Sequence, residues 1–550
     1  LEKLIIAIAM YSLSLNRWGE IGKFLSCFCL CLLLVVSCAH RQQTTSQITN
    51  DGRITIGTTA KPRTLDPADA YELAALSLVF NMSDRLYTYE PGSTEIKPQL
   101  ATAPAKVSPD GLTYTIPIRK GVVFHDGTPF NASAMEFSIQ RFIENKGKPS
   151  FLLSDTIDKV KATGEYELTI QLKRPFAAFP SLLAFSGVCA VSPKAYALGA
   201  GQFKPSIFVG TGPYKLANYG TDSLRLDVFD QYWGEKPVNK GINIQIQSSP
   251  VNLFNAFTTN AVDVAYLSLK PDQIRNLESG AKQGKWQVIS AQGSVVSYMG
   301  LNRNQKPLDK LEVRQAIASL IDRELINQRV IFGQAASLYS MLPTTFNASE
   351  PLFKDKYGDG QYDKAKKLLS AAGFSPSHPA IIPIWHSATS PIYSSVAQTL
   401  KSITDKELNG MLQFQINPVE SATFFKEIGK GLYPAALFDW YPDFLDPDDY
   451  VQPFLACEKG SVSQGCTTGG SQAQGSFYYS EAMNKLIAQE RQELKPEARK
   501  QIFAQIQALE TDDVPYIPLW QSKDYVFAQK GVSHVQIDPT QNLIYKSIKK

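Results

Sequence analysis

The stretch that most constrains this chain runs from Pro98 to Phe142. Within it Leu112, Tyr114, Ile116 and Ile118 alternate with Thr113, Thr115, Pro117 and Arg119. A period of two sets one face of a strand in a core and the other toward water. Turn chemistry brackets the strand, with Pro109-Asp110-Gly111 before it and Asp126-Gly127-Thr128-Pro129 after it. Ser133-Ala134-Met135-Glu136 has the spacing of a capping box and predicts a helix start there.

The same mixture continues along the chain. Ile54-Thr55-Ile56 reads as a first strand, and alternating sets at Leu168/Ile170/Leu172, Leu224/Leu226/Val228 and Ile242/Ile244/Ile246 read as three more. Val313, Ala316, Ile317, Leu320 and Ile321 recur at helical spacing. Asp363 to Ala372 predicts an amphipathic helix stopped by Gly373. Ser480 to Glu510 predicts one or two long helices broken near Pro496. The expected class is α/β.

Near the N-terminus Arg17 and Lys23 precede a 13-residue, uncharged and mostly apolar run from Phe24 to Val36. Crossing a bilayer takes about 20 residues, whereas a signal-peptide core is this short. Val35-Val36-Ser37-Cys38 closes the run, and the segment resembles a bacterial lipobox, which implies cleavage before Cys38 and lipidation of its sulfur. An ordinary secretory signal with a coincidental cysteine, or an uncleaved anchor, is the alternative. Residues 1–37 are thus expected to be a lipoprotein signal peptide and 38–51 a polar tether. The mature chain is too long for one core, so two or three domains are expected.

Charged residues make up 19% of the chain with a formal net charge of +4 and no long basic run, which gives no support to a nucleic-acid partner. Lys546, Lys549 and Lys550 are expected to form a short solvated tail. Beyond the signal and the anchor cysteine Cys38 only Cys189, Cys457 and Cys466 remain. Cys457 and Cys466 flank a Gly/Ser-rich loop that can bring them together, and in an exported chain a disulfide between them is expected. Cys189, among small and apolar neighbours, is expected to be a buried thiol.

The five histidines are scattered and lack the spacing of a helical metal pair. His125, in the HDG turn, is expected to make a structural hydrogen bond. No nucleophile elbow or phosphate-binding loop is present, so no enzymatic activity, metal or cofactor is expected. The densest chemistry is Trp440 to Asp449, WYPDFLDPDD, where carboxylates and aromatic faces crowd a Pro-punctuated loop. A carboxylate there can accept charge-assisted hydrogen bonds from a cationic ligand group. The same residues also suit a solvated acidic turn with Asp446 or Asp448 capping a helix. Trp440 and Tyr441 are candidates for a pocket wall, with core packing as the alternative.

The segment from Pro98 onward resembles the bacterial extracellular solute-binding proteins of family 5, which serve peptide-type ABC importers. That family carries V-S-x-D-G-x-x-Y-x-F-x-L-R-x-G-V-x-F-H-D-G-x-P-F, here Val107 to Phe130. Further matches occur in the family's order: Thr64-Leu65-Asp66-Pro67, Gly210-Thr211-Gly212-Pro213-Tyr214, Tyr232-Trp233-Gly234, Val313-Arg314-Gln315-Ala316-Ile317 and Trp440 through Pro447, with Phe444 in place of the family's Tyr. The resemblance implies a periplasmic-binding-protein type II fold of two lobes with an extra domain inserted in lobe I. Lobe I is expected from 52–94, 197–295 and 520–550, the inserted domain from 95–196 and lobe II from 296–519. It implies capture of a di- or oligopeptide in the interlobe cleft, with Asp443 pairing with the peptide's α-amino group. Asn302, on the hinge side, and Tyr71, just after the T-L-D-P segment, are further candidate ligand residues. The implied partners are an ABC permease with its ATPase subunits, and the membrane through the lipid; the protein is expected to be a monomer in the periplasm or on the outer face of the cell membrane. A nickel complex, haem, murein peptide or sugar on the same fold remains an alternative, as does an extracellular lipoprotein hydrolase or a sensor.

Overall fold

Two long antiparallel strands, Trp286–Leu301 and Tyr516–Gln529, form the centre of the architecture, paired from Trp286 opposite Gln529 to Gly300 opposite Tyr516. Residues 52–267 and 269–550 are described by a computed structural model; the signal segment, Cys38 and the tether lie outside the described residues. On one side of the long pair the sheet continues through Val264–Tyr266, Ile54–Thr58, Ile242–Ile246, Ser223–Val228 and Tyr214–Tyr219. On the other it continues through Ala435–Trp440, Ala380–Ser387 and Leu412–Val419. Ala335–Ser337 adds to Tyr516–Gln529, so the sheet has 11 strands.

Each outer set contains parallel pairs, which need a crossover connection, and helices supply it. Pro391–Glu407 links Ala380–Ser387 to Leu412–Val419. Its start is encoded locally: the Ser390 hydroxyl accepts the Tyr393 N–H, and Pro391 occupies the first turn, where no amide partner is required. Val396, Ala397, Leu400 and Ile403 then face the core.

Four apolar clusters form among the described residues; the largest joins residues 86–190 to residues 296–516, including Val296, Tyr298 and Tyr516 of the long pair, and two others pack against the two ends of that pair. One gathers Ile54, Leu226, Ile242, Val264 and Val526. The other gathers Leu301, Ile317, Ile382, Leu412, Leu437 and Ile517. A second sheet, ordered Lys106–Val107, Thr113–Pro117, Glu167–Leu172, Ile157–Gly164, is wholly antiparallel. Tyr114 and Ile116 are buried while Thr113 and Thr115 are half-buried, the alternation expected from the sequence.

The helix over this sheet, Ala132–Glu144, is capped by Asn131 and not through the Ser133 box expected from spacing. Asn131 Oδ1 accepts the Ala134 N–H at 3.0 Å. Glu136 instead accepts the Ala162 N–H of the sheet at 2.8 Å, a tertiary use that removes it from the cap. From the same helix, Arg141 makes a bidentate pair with Asp66 of the T-L-D-P segment, both contacts 2.7 Å, with Arg141 1% and Asp66 0% exposed.

The remaining helices follow their local signals. Tyr362–Ala371 ends before Gly373, which takes a φ of 88°. The Ser480–Glu510 region divides into Glu481–Gln492, capped by Ser480, and Pro496–Asp513. Cys457 and Cys466 are joined as a disulfide with Cα atoms 5.6 Å apart, and Cys189 is buried as a free thiol that desolvation pushes up to about 11. The C-terminal lysines are not all solvated, because Lys550 Nζ pairs with the buried Asp263 at 2.7 Å. Among the described residues no helix is long and apolar enough to cross a membrane.

Candidate functional site

The WYPDFLDPDD loop leaves the end of the strand Ala435–Trp440 and is held from several sides. Asp446 caps the 3-10 turn Pro447–Tyr450 by accepting the Asp448 N–H at 2.9 Å. Its two oxygens also receive Arg499 Nη1 and Nη2, each at 2.7 Å, and Arg499 Nη2 reaches Glu490 Oε2 at 2.8 Å. Asp449 Oδ2 accepts the Trp440 indole N–H at 3.2 Å and the Asp443 backbone N–H at 3.0 Å. With its neighbours so occupied, Asp443 is presented into a cleft of about 380 Å³.

Tyr71, Leu73, Leu76 and Tyr89 line one part of this cleft, residues 441–445 another, and Ser294, Thr540, Gln541 and Asn542 a third. The parts come from distant regions of the chain. The Leu445 N–H donates to the Tyr89 hydroxyl at 3.0 Å, and Tyr71 Oη donates to Asp443 Oδ1. Burial raises the Asp443 pKa above the ordinary carboxylate value, while the Tyr71 bond pulls it the other way. Asp449 is buried more deeply and raised well above its ordinary value, first by desolvation and then by the Asp443 charge. Desolvation and the Asp443 carboxylate likewise raise the Tyr71 phenol. Among the described residues no Lys or Arg pairs with Asp443 or Asp449, so the desolvated Asp443 carboxyl faces the cleft with a phenol as its donor.

Of the residues singled out from sequence, Tyr71, Tyr441 and Asp443 line the cleft together. Trp440 stands behind the loop, its N–H on Asp449 and its ring edge-on to Phe454 with centroids 5.1 Å apart. Asn302 is 1% exposed; its Nδ2 donates to the Gly431 carbonyl at 3.3 Å and its Oδ1 accepts the Asn304 N–H at 3.0 Å. It serves as a loop staple there. Among the described residues no three His, Cys, Asp or Glu side chains are grouped to hold a metal ion. Sequence reading passed over Tyr89, Ser294 and Asn542, none of which sits in a motif that marks it.

The sequence profile of the bacterial extracellular solute-binding proteins, family 5, matches residues 95–461. The chain belongs to this family. The probable D,D-dipeptide-binding periplasmic protein DdpA of Escherichia coli K12 is 24% identical over 500 residues, covering 88% of this chain and 92% of its own. Heme-binding protein A of Haemophilus influenzae is 28% identical over 473 residues, covering 80% and 81%. The structure of HbpA2 from Haemophilus parasuis superposes with a TM-score of 0.78 at 21% identity, over 90% of this chain and 99% of that one. The fold is therefore that of type II periplasmic binding proteins, and family 5 places this chain among solute-binding proteins of ABC importers.

Proposed function

We propose that this family 5 protein is an exported, lipid-anchored receptor that captures peptides by their free α-amino group and passes them unchanged to an ABC permease and its ATPase subunits. The observation that carries the reading is Asp443: a half-buried carboxylate in the cleft, raised in pKa by desolvation and without a cationic partner among the described residues. A ligand ammonium would displace the Tyr71 phenol and exchange a neutral donor for a charged one, which is the stronger hydrogen bond. The rest of the peptide would be held as an added strand through its backbone amides, with waters adapting the pockets to different side chains. The lipid would be carried by Cys38, with the protein a monomer on the periplasmic or outer face of the membrane. Peptide-binding relatives support the ligand class.

On this reading the lobes are 52–94 with 197–295 and 520–550, and 296–519, with 95–196 inserted in the first. The irregular pairing between Gln292 and Val296 supports a hinge close to that division.

The test is isothermal titration of tripeptides onto wild type and Asp443→Asn. Loss of the carboxylate is expected to weaken free-amino peptides by roughly 2–5 kcal/mol, the cost of leaving a desolvated ammonium unpaired. N-acetylated peptides should bind wild type and variant alike, and weakly. Equal affinity of wild type for acetylated and free peptides would remove Asp443 from this role.

A further inference from the structure

The long pair loses its register at one step, and the cleft converges on that step. Gln292 faces Lys523 and Val296 faces Gln521, so Gly293, Ser294 and Val295 stand opposite the single residue Ser522. Extra residues in a bulge fall out of the ladder and leave their backbone groups to find partners elsewhere. Side chains supply them. Gln521 Nε2 donates to the Gly293 carbonyl at 2.6 Å, and the Tyr450 hydroxyl donates to the Ser294 carbonyl at 2.7 Å. Gln521 and Tyr450 are each 0% exposed. Ser294 itself lines the cleft, and its hydroxyl donates to the Pro539 carbonyl at 2.9 Å, next to the wall formed by residues 540–542.

Tyr450 reaches this step from the Trp440–Asp449 loop. It closes the 3-10 turn Pro447–Tyr450 and directly follows Asp449. Asp449 Oδ2 accepts the Asp443 N–H at 3.0 Å, so one hydrogen bond and one residue step separate the Asp443 backbone from Tyr450. The Tyr450 ring is fixed in the largest apolar cluster, edge-on to Phe346 with centroids 5.6 Å apart. Gln521 is held from its other side by Thr344, whose N–H and hydroxyl each donate to its Oε1 at 2.9 Å. Gln521 thus ties the step to the sheet, and Tyr450 ties it to the loop that carries Asp443.

Building on the peptide reading and the hinge placed with it, we propose that Tyr450 is a positioning residue: its hydroxyl joins the Asp443 loop to the out-of-register step at residues 293–295, so that a peptide held at Asp443 also restrains the bend of the long pair. Movement of Ser294 on bending either carries the loop with it or breaks the Tyr450 bond, and a broken bond strands a buried carbonyl.

Amide hydrogen exchange and isothermal titration on the purified protein, freed of endogenous ligand, test this with Ala-Ala-Ala. In wild type the tripeptide should slow exchange both at residues 441–449 and at residues 292–296. Tyr450→Phe keeps the ring and removes the hydroxyl. It should lose the slowing at 292–296, keep it at 441–449, and bind Ala-Ala-Ala about three- to tenfold more weakly, the worth of one hydrogen bond. Tyr357→Phe is the control for a purely structural loss. Tyr357 is 2% exposed, stands outside the cleft lining, and donates to the Thr511 carbonyl at 2.8 Å. Its variant should lower the urea midpoint to a similar extent while affinity stays within about twofold of wild type. Slowing at 441–449 with none at 292–296 in wild type, a result that needs no variant to fold, overturns the coupling and leaves peptide capture standing. Wild-type affinity and exchange in a folded Tyr450→Phe protein does the same. Absence of binding and of any slowing in wild type overturns both.

Discussion

His125 shows how a motif residue holds two segments of the fold together. Its Nε2–H donates to the Gly212 carbonyl at 3.0 Å and its Nδ1 accepts the Gly210 N–H at 3.3 Å, so the neutral ring staples the HDG turn to the G-T-G-P-Y segment. Desolvation, the main cause, lowers its pKa from the ordinary 6.5 to about 4. Between those values the unfolded chain binds a proton that the folded one refuses, so the staple's contribution is complete above about pH 6.5 and is lost as pH falls toward about 4. The loss should reach roughly 2–3 kcal/mol. Urea unfolding of wild type and His125→Gln at pH 7.5 and pH 4.5 checks it: the variant should start less stable and lose less on acidification. Parallel losses would assign the acid sensitivity elsewhere.

At the scale of elements, the Trp440–Asp449 loop is shaped by a neighbouring helix pair as well as by its own residues. Arg499, on Pro496–Asp513, clamps Asp446 with two 2.7 Å contacts and Glu490 of Glu481–Gln492 with a third. Glu490 is 0% and Asp446 8% exposed. Replacing Arg499 by Met would strand two desolvated carboxylates, and breaking a buried pair this way costs about 3–5 kcal/mol. Arg499→Met should lower the urea midpoint accordingly, and should also weaken free-amino peptides because Asp443 sits three residues before Asp446. Arg499→Lys keeps the charge without the planar fork and should recover stability only in part. Unchanged peptide affinity in a folded Arg499→Met protein would mean that the loop holds its geometry without the clamp.

For the whole molecule, two apolar cores pack on one sheet along Trp286–Leu301 and Tyr516–Gln529, and a third, larger one packs residues 86–190 against Val296, Tyr298 and Tyr516. Pairing between these strands is interrupted between Gln292 and Val296. A break in a ladder is a place where strands can bend, which the proposed capture by closure requires. Saturating peptide should therefore reduce the radius of gyration in small-angle X-ray scattering, and Asp443→Asn should need more peptide for the same change. A radius that does not respond to a bound peptide would rule out capture by closure.

The features legible in the sequence were those that depend on neighbours in the chain. The alternation at residues 112–118, the stop at Gly373, the break at Pro496 and the crowding of carboxylates at Trp440–Asp449 are local patterns, and steric and hydrogen-bonding rules read them directly. The choice of Asn131 over Ser133 as cap was not legible, because both satisfy local chemistry and the Glu136 bond to Ala162 separates them. Local pattern could not show which residues the cleft joins: the resemblance to family 5 supplied Asp443 and Tyr71, while Tyr89, Ser294 and Asn542 were passed over. Tyr71 and Asp443 are 372 positions apart, and Ser294 and Asn542 line the same cleft from other parts of the chain that no short-range period connects to them. Chain proximity sets secondary structure, whereas a binding site is an arrangement of desolvated groups that exists once distant strands have paired and excluded water between them.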